Sequence, residues 1–137
     1  MEIADRFLYE YAVLRYVPRI EREEFVNIGL IMMNKRCKWL KGKVYLDETK
    51  LKAFNPDYDI DALEKQCGLF ERTDVPKDDL PIEEKYRWLT AMKSAVLQTS
   101  PSHPGLLIEE GDSYLDCEAI KALMEKEFSR LFKELVG

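Results

Sequence analysis

The fold of this chain is decided by residues 9–33, which read YEYAVLRYV, PRIEREE and FVNIGLIMM in succession. The first and third runs are rich in aromatic and β-branched residues and end at turn signals, which predicts strands at 9–17 and 25–33. The charged segment between them predicts a hairpin turn. A third segment, residues 38–46, alternates in the way a half-buried strand does. We therefore predict an antiparallel three-stranded meander.

The remainder of the chain predicts helices and one or two later strands. Asp47 can cap a short helix, a second helix follows over the next residues, and Pro81 suits the first turn of a third. Short apolar runs at 95–98 and 105–108 predict strands. Asp116 can cap a long C-terminal helix, whose apolar residues share one stripe: Ile120, Leu123, Met124, Phe128, Leu131, Phe132 and Leu135.

Strands followed by helices, and then strands and a helix again, indicate the α+β class. We predict one domain over residues 1–137, with an antiparallel sheet, helices packed on one face and a long C-terminal helix. A chain of this length buries roughly two thirds of its unfolded surface, which is enough for one core.

Composition excludes several classes of function. The chain holds 26 acidic and 21 basic residues, a net charge of -5, which argues against nonspecific binding to nucleic acid or to an anionic membrane. No apolar run approaches the roughly 20 residues of a membrane helix, and the start lacks the pattern of a signal peptide. Its three cysteines are odd in number and far apart, which predicts no disulfide framework and a reducing compartment. We expect a cytoplasmic protein without a cofactor.

The single histidine, His103, restricts metal and nucleophile chemistry. Zinc ligands usually occur in closely spaced pairs, a spacing that Cys37, Cys67, His103 and Cys117 do not have, so we expect no metal site. Ser100 and Ser102 lie beside His103, but this segment reads more simply as a proline-rigidified loop whose serines bond nearby backbone.

The strand at 38–46 gives the best nucleic-acid candidate. Its Trp39, Lys41, Lys43 and Tyr45 share one face, where aromatic rings could stack on bases and lysines could neutralise phosphates. Lysines on an exposed strand also prevent edge-to-edge aggregation, and the net charge is negative, so we expect nucleic-acid binding to be absent or weak.

The hairpin carries a second polar set. An even register across the turn puts Arg15 and Asn27 on one face, flanked by Arg22 and Glu24. Such a set can be an internally satisfied ion-pair network, because buried polar groups need partners. It can equally form a polar pocket for a ligand or a partner peptide, and the sequence leaves both alternatives open.

Two stretches resemble a bacterial family, the domain-of-unknown-function family 3037. The first is YAVLRYVP at 11–18 and continues to Arg22, Glu24, Asn27 and Gly29; the second is YRWL at 86–89 and continues through these residues: Ser94, Gln98, Ser100, Pro101, His103 and Gly105. The chain departs from the family pattern at Glu23, where glycine is frequent, and at Pro104, where threonine is common. Members of the family have no established activity, and their occurrence beside kinase-like toxin relatives implies an accessory role with such a protein as partner.

We therefore expect a bacterial binding or accessory module that recognises a protein or a small anionic ligand, and not an enzyme. In this role arginine binds a carboxylate with two hydrogen bonds, asparagine reads an amide and tryptophan anchors a partner. The expected site residues are Arg15, Arg22, Glu24, Asn27, Arg87, Trp88, Ser100 and His103. One alternative is a small hydrolase or nuclease that uses His103 and the acids of the hairpin; another is single-stranded nucleic-acid binding on the Trp39 face.

Overall fold

The computed structural model describes residues 8–18, 24–54, 60–72, 80–91, 97–106 and 116–136. Its strands and helices follow one another in this order: β1 (Leu8–Tyr16), β2 (Val26–Asn34), β3 (Trp39–Val44), α1 (Glu48–Phe54), α2 (Ile60–Arg72), α3 (Ile82–Ala91), β4 (Leu97–Thr99), β5 (His103–Leu106) and α4 (Cys117–Leu135).

The N-terminal meander is confirmed. β1 pairs antiparallel with β2, Glu10 opposite Met33, and β2 pairs antiparallel with β3. The register of β1 and β2 shifts between Leu14 and Arg15, where a bulge adds one residue to β2. A bulge reverses which residues of the longer strand face which side of the sheet. Arg15 and Asn27 are therefore direct partners at the hairpin end, and their side chains share one face, as predicted.

The later strands lie along the free edge of β1. Both are antiparallel to it: β4 pairs with its second half and β5 with its first half, which gives the order β3-β2-β1-β4 with β5 beside β1. β5 begins at His103, two residues earlier than the apolar run indicated, because pairing with Tyr11 extends it. Pro104 fits there, since an edge strand tolerates a missing backbone donor.

The helix starts are also confirmed. Asp47 accepts hydrogen bonds from the backbone N–H groups of Thr49 and Lys50, and Asp116 accepts one from Ala119 at 2.9 Å. These side chains satisfy donors that the first helical turn leaves unpaired. With an antiparallel sheet and four helices among the described residues, the predicted α+β class holds.

Helices cover both faces of the sheet, and not one face alone. On one side, α1, α2 and α3 pack on a cluster that includes Leu14, Ile31 and Leu51. On the other, α4 packs its stripe on Leu30 and Met32. The near-continuous apolar run of β2 is the reason, since it presents large side chains to both sides and each side needs a cover.

The prediction of no disulfide is wrong for one pair. Cys37, in the turn between β2 and β3, is bonded to Cys117 at the start of α4, with Cα atoms 5.4 Å apart. The bond joins positions 80 residues apart, a proximity created by the docking of α4 and invisible in the cysteine spacing. Cys67 is a buried free thiol. Among the helices described, none is both long enough and apolar enough to cross a membrane.

Candidate functional site

Three polar residues form a row across three neighbouring strands near the hairpin. Arg15 of β1 is the direct partner of Gln98 on β4 and of Asn27 on β2. Direct partners have Cβ atoms about 4.5–5.5 Å apart and point to the same side of the sheet. The row lies on the α4 side, because the Asn27 side chain reaches the last turn of that helix. We call Arg15, Asn27 and Gln98 the polar row.

Arg15 rests on an aromatic ring. Its guanidinium carbon lies 4.2 Å from the centroid of Phe25, whose side chain is 44 % exposed. A cation stacked on a ring keeps the edge of the guanidinium plane available for a planar anion. The Arg15 Nε atom is buried and has no hydrogen-bond partner among the described residues. A buried N–H without a partner costs about 1–3 kcal/mol, which calls for an explanation.

Asn27 is oriented by the end of α4. Its Nδ2 donates a hydrogen bond of 3.0 Å to the backbone oxygen of Leu135, one of the carbonyls that a helix end leaves unpaired. This bond fixes the amide and leaves Oδ1 as its acceptor. Asn27 Oδ1 is buried and likewise lacks a partner among the described residues. A cavity of about 10 Å³ lined by Asn27 and Tyr45 has room for about one water molecule.

The polar row can therefore make two hydrogen bonds that no described residue supplies. Arg15 Nε can donate one of them, and Asn27 Oδ1, on the neighbouring strand, can accept the other. A carboxylate complements the first and an N–H group complements the second. The alternative was an internal ion-pair network that also includes Arg22 and Glu24. Arg22 lies outside the described residues, so that network stays a prediction; Arg15 itself forms no ion pair with a described residue.

The two stretches that carry the family pattern meet in this row. Gln98 comes from the second stretch, and it pairs with Arg15 of the first. Neither Gln98 nor Phe25 was among the predicted site residues. What identifies them is their position: Gln98 pairs with Arg15 across the sheet, and the ring of Phe25 lies under the Arg15 guanidinium.

The other predicted site residues lie elsewhere. Arg87 and Trp88 are exposed on α3, the helix that covers the opposite side of the sheet from the polar row. Glu24 is exposed just before β2. Arg22 and the acids Glu21 and Glu23 lie outside the described residues, and so does an ion pair within the turn.

Ser100 has a structural role in the described geometry. Its Oγ accepts a hydrogen bond from the backbone N–H of Val13 at 2.9 Å and donates one to the backbone oxygen of Pro101. The Ser100 side chain, which is buried, thereby accepts a hydrogen bond from β1 between the end of β4 and the start of β5. A nucleophile needs its hydroxyl aimed at a base and a substrate. His103 is exposed, with its ring 5.4 Å from that of Tyr11.

The Trp39 face is covered by α4 over most of its length. Trp39 is only 8 % exposed, packs edge-on against Phe128 and donates a hydrogen bond to Glu125. Lys41 pairs with Glu125 at 2.6 Å, and Lys43 lies over the ring of Phe132 at 4.7 Å. The expectation of an open strand face was wrong at Trp39, because the apolar stripe of α4 requires a sheet to bury it, whereas Lys43 is exposed as expected.

Tyr45 is the exposed aromatic residue of that strand face, with 51 % of its surface open to solvent. It lies beyond the end of β3, next to Asn27 in the wall of the small cavity. A nucleic acid could stack on Trp39 only after α4 had moved away. Two exposed aromatic side chains, Phe25 and Tyr45, therefore lie beside the polar row.

Among the described residues, the pKa is raised for Tyr9, Cys67, Tyr86 and Arg130 and lowered for Glu127. Burial is the main cause that raises the pKa of Tyr9, and its hydrogen bond to Glu127 adds to it. The Arg130 guanidinium, with Tyr9, holds the pKa of Glu127 below its usual value. Burial raises the pKa of Cys67 to about 12, so this thiol is protonated and unreactive at neutral pH. None of these groups belongs to the polar row.

Comparison with known proteins gives one match. A protein-family model described as a protein of unknown function, DUF3037, matches residues 11–136. The match covers nearly the whole chain, so the chain belongs to that family, as the resemblance indicated. No curated protein and no solved structure shows a significant match.

Proposed function

We propose that this member of the DUF3037 family is a binding module, which recognises a carboxylate-bearing protein segment or small anionic ligand through Arg15, Asn27 and Gln98. One observation carries the proposal. Arg15 Nε and Asn27 Oδ1 are buried side by side on directly paired positions, and the described residues satisfy neither. Buried polar groups without a partner call for an explanation, and a ligand that completes their hydrogen bonds supplies one.

The surroundings of the polar row favour a protein segment as the ligand. Phe25 and Tyr45 are exposed aromatic side chains close to Arg15 and Asn27. Aromatic residues and arginine dominate the energetics of protein interfaces, where they are covered by the partner. The kinase-like toxin relative implied by the resemblance is the first protein to present to the site.

The test compares Arg15→Met with Arg87→Met on an array of acidic and neutral peptides. Wild type should retain peptides that carry a carboxylate beside an apolar residue, and Arg15→Met should lose them. Arg87→Met removes an exposed arginine on the other side of the sheet and should bind as wild type does. Equal loss in both variants would indicate a general charge effect and would refute recognition by the polar row.

A stability measurement separates recognition from a structural role for Arg15. Replacing a buried unpaired donor by an apolar side chain of similar length is nearly neutral or stabilising. The free energy of unfolding of Arg15→Met should therefore be within about 0.5 kcal/mol of that of wild type, or higher, although the variant does not bind the peptides. A loss of roughly 3 kcal/mol or more would show that Arg15 holds the fold together, and the proposal would fail.

We also propose that the protein works in the bacterial cytoplasm. The bond between Cys37 and Cys117 gives a direct test, since the cytoplasm keeps most thiols reduced. Cells lysed directly into denaturant that contains an alkylating agent, followed by mass spectrometry, should show Cys37 and Cys117 modified, because unfolding exposes Cys37, which is buried in the fold. Both cysteines protected from alkylation would place the chain in an oxidising compartment and contradict the proposed location.

A further inference from the structure

A cavity of about 600 Å³ opens at the end of the sheet opposite the polar row. Its floor includes Met33, Glu10 and Pro104, which are direct partners across β2, β1 and β5. Glu10 and Arg15 are five residues apart on one strand, so about 16 Å and the thickness of the sheet separate the two places. The cavity is therefore a second site, independent of the function proposed above.

The walls of the cavity are mostly apolar, with positive charge at one rim. Leu8, Met33 and Pro104 supply the apolar surface, and Leu8 is 42 % exposed. Lys35 and Arg36 contribute the rim from the turn after β2. Neither forms a salt bridge with a described residue. Two cations beside an apolar cavity are notable in a chain of net charge -5.

The positive rim is held in place by buried contacts. Asn34 is fully buried; its Nδ2 donates to the backbone oxygen of Leu8, and its Oδ1 accepts from the backbone N–H of Cys37, both at 2.9 Å. Cys37 of the same turn is itself buried in the cluster that α4 covers. Because the turn is fixed before a ligand arrives, binding loses little conformational entropy.

We propose that this cavity binds a small monocarboxylate with an apolar body. Lys35 and Arg36 pair with the carboxylate at the rim, while the hydrocarbon part lies over Leu8, Met33 and Pro104. Small-molecule sites have this composition and volume, a mainly apolar wall with a few polar groups that fix orientation. Glu10 carries the only negative charge among the described lining residues, and it repels a second carboxylate from the floor.

The charge arrangement makes the ligand class testable with three probes of equal chain length. Titration calorimetry on the full chain should show saturable binding of octanoate. Octanedioate places a second carboxylate over the apolar floor near Glu10, and it should bind at least about tenfold more weakly. Octan-1-ol lacks the charge that the rim attracts and should also bind more weakly. Octanoate that does not saturate, or that binds no better than octan-1-ol, overturns the proposal.

Variants locate the binding. The double variant Lys35→Gln/Arg36→Gln should weaken octanoate binding by about tenfold, since each exposed ion pair contributes a few-fold. The double variant Lys52→Gln/Lys121→Gln removes two positive charges from exposed helix positions and should bind octanoate as wild type does. All four side chains are exposed, so the variants should fold, and their thermal melts will confirm it. An equal loss of octanoate affinity in the two double variants would show that binding depends on net charge alone, and it would refute the site.

Leu8→Gln tests the apolar half of the proposal. Leu8 is partly exposed, so its replacement should leave the fold intact while it removes part of the apolar wall. Octanoate binding should weaken several-fold, in proportion to the apolar area that the variant no longer covers. Unchanged affinity in Leu8→Gln would show that the hydrocarbon chain does not lie in the cavity, which would also overturn the proposal.

Discussion

Gly42 is the position where the packing of α2 on the sheet can be tested most sharply. It lies on β3 under the last turns of that helix, and a Cβ atom built there overlaps the backbone oxygen of Phe70 and comes within 2.9 Å of its carbonyl carbon. Non-bonded carbon atoms prefer about 3.5–4.0 Å. The obstacle is backbone, so no change of side-chain rotamer can relieve it. In Gly42→Ala, α2 must move outward.

The expected cost of Gly42→Ala follows from what α2 buries. The helix contributes Leu63, Cys67 and Phe70 to the core, and an outward movement of about 1 Å loosens all three. Overpacking a core costs typically 1–3 kcal/mol, and we expect about 3 kcal/mol because a whole helix shifts. That is a large fraction of the 5–15 kcal/mol that stabilises a typical domain. Urea unfolding followed by circular dichroism measures it directly.

Gly68→Ala is the matched control. The chemical change is the same, but at Gly68 the added Cβ atom meets only the far end of the Arg72 side chain, at 2.8 Å. Alanine is favoured over glycine in the interior of a helix by roughly 0.5–1 kcal/mol, so Gly68→Ala should be stabilised. The two substitutions thus have opposite signs. A Gly42→Ala protein as stable as wild type would refute the close approach of α2 to β3.

Three further predictions concern the α4 side of the sheet. The raised pKa of the buried Tyr9 phenol stabilises wild type fully below the unfolded value of 10.0, and this contribution is lost as the pH rises above it. The free energy of unfolding of Tyr9→Phe should therefore fall less steeply than that of wild type above about pH 10, as urea midpoints at several alkaline pH values will show. Reduction of the bond between Cys37 and Cys117 should lower the free energy of unfolding by about 2–4 kcal/mol, with no effect of reductant on Cys37→Ser. Trp39→Ala should lower the free energy of unfolding by about 3 kcal/mol, because it leaves a cavity under α4; a Tm equal to that of wild type would show that α4 does not cover this residue.

Local chemistry made the elements of this fold predictable. Strands β1 and β2 follow from runs of aromatic and β-branched residues, and the starts of α1 and α4 follow from Asp47 and Asp116. Each of these signals acts within a few residues of the chain, so neighbouring sequence contains it completely. Arg15 and Asn27 were also placed correctly on one face, because a hairpin joins strands that are adjacent in sequence.

Long-range packing decided the rest. Gln98 became part of the polar row through its pairing with Arg15, and Cys37 met Cys117 through the docking of α4. Trp39 was expected on an open face and is buried for the same reason.

Local sequence thus specifies which segments are strands and helices and which polar residues lie at the hairpin. Which of these segments and residues meet depends on how the whole chain packs. The physical reason is that β1 accepts partners on both edges and the sheet accepts helices on both faces, choices that depend on the total apolar area buried and not on any local pattern.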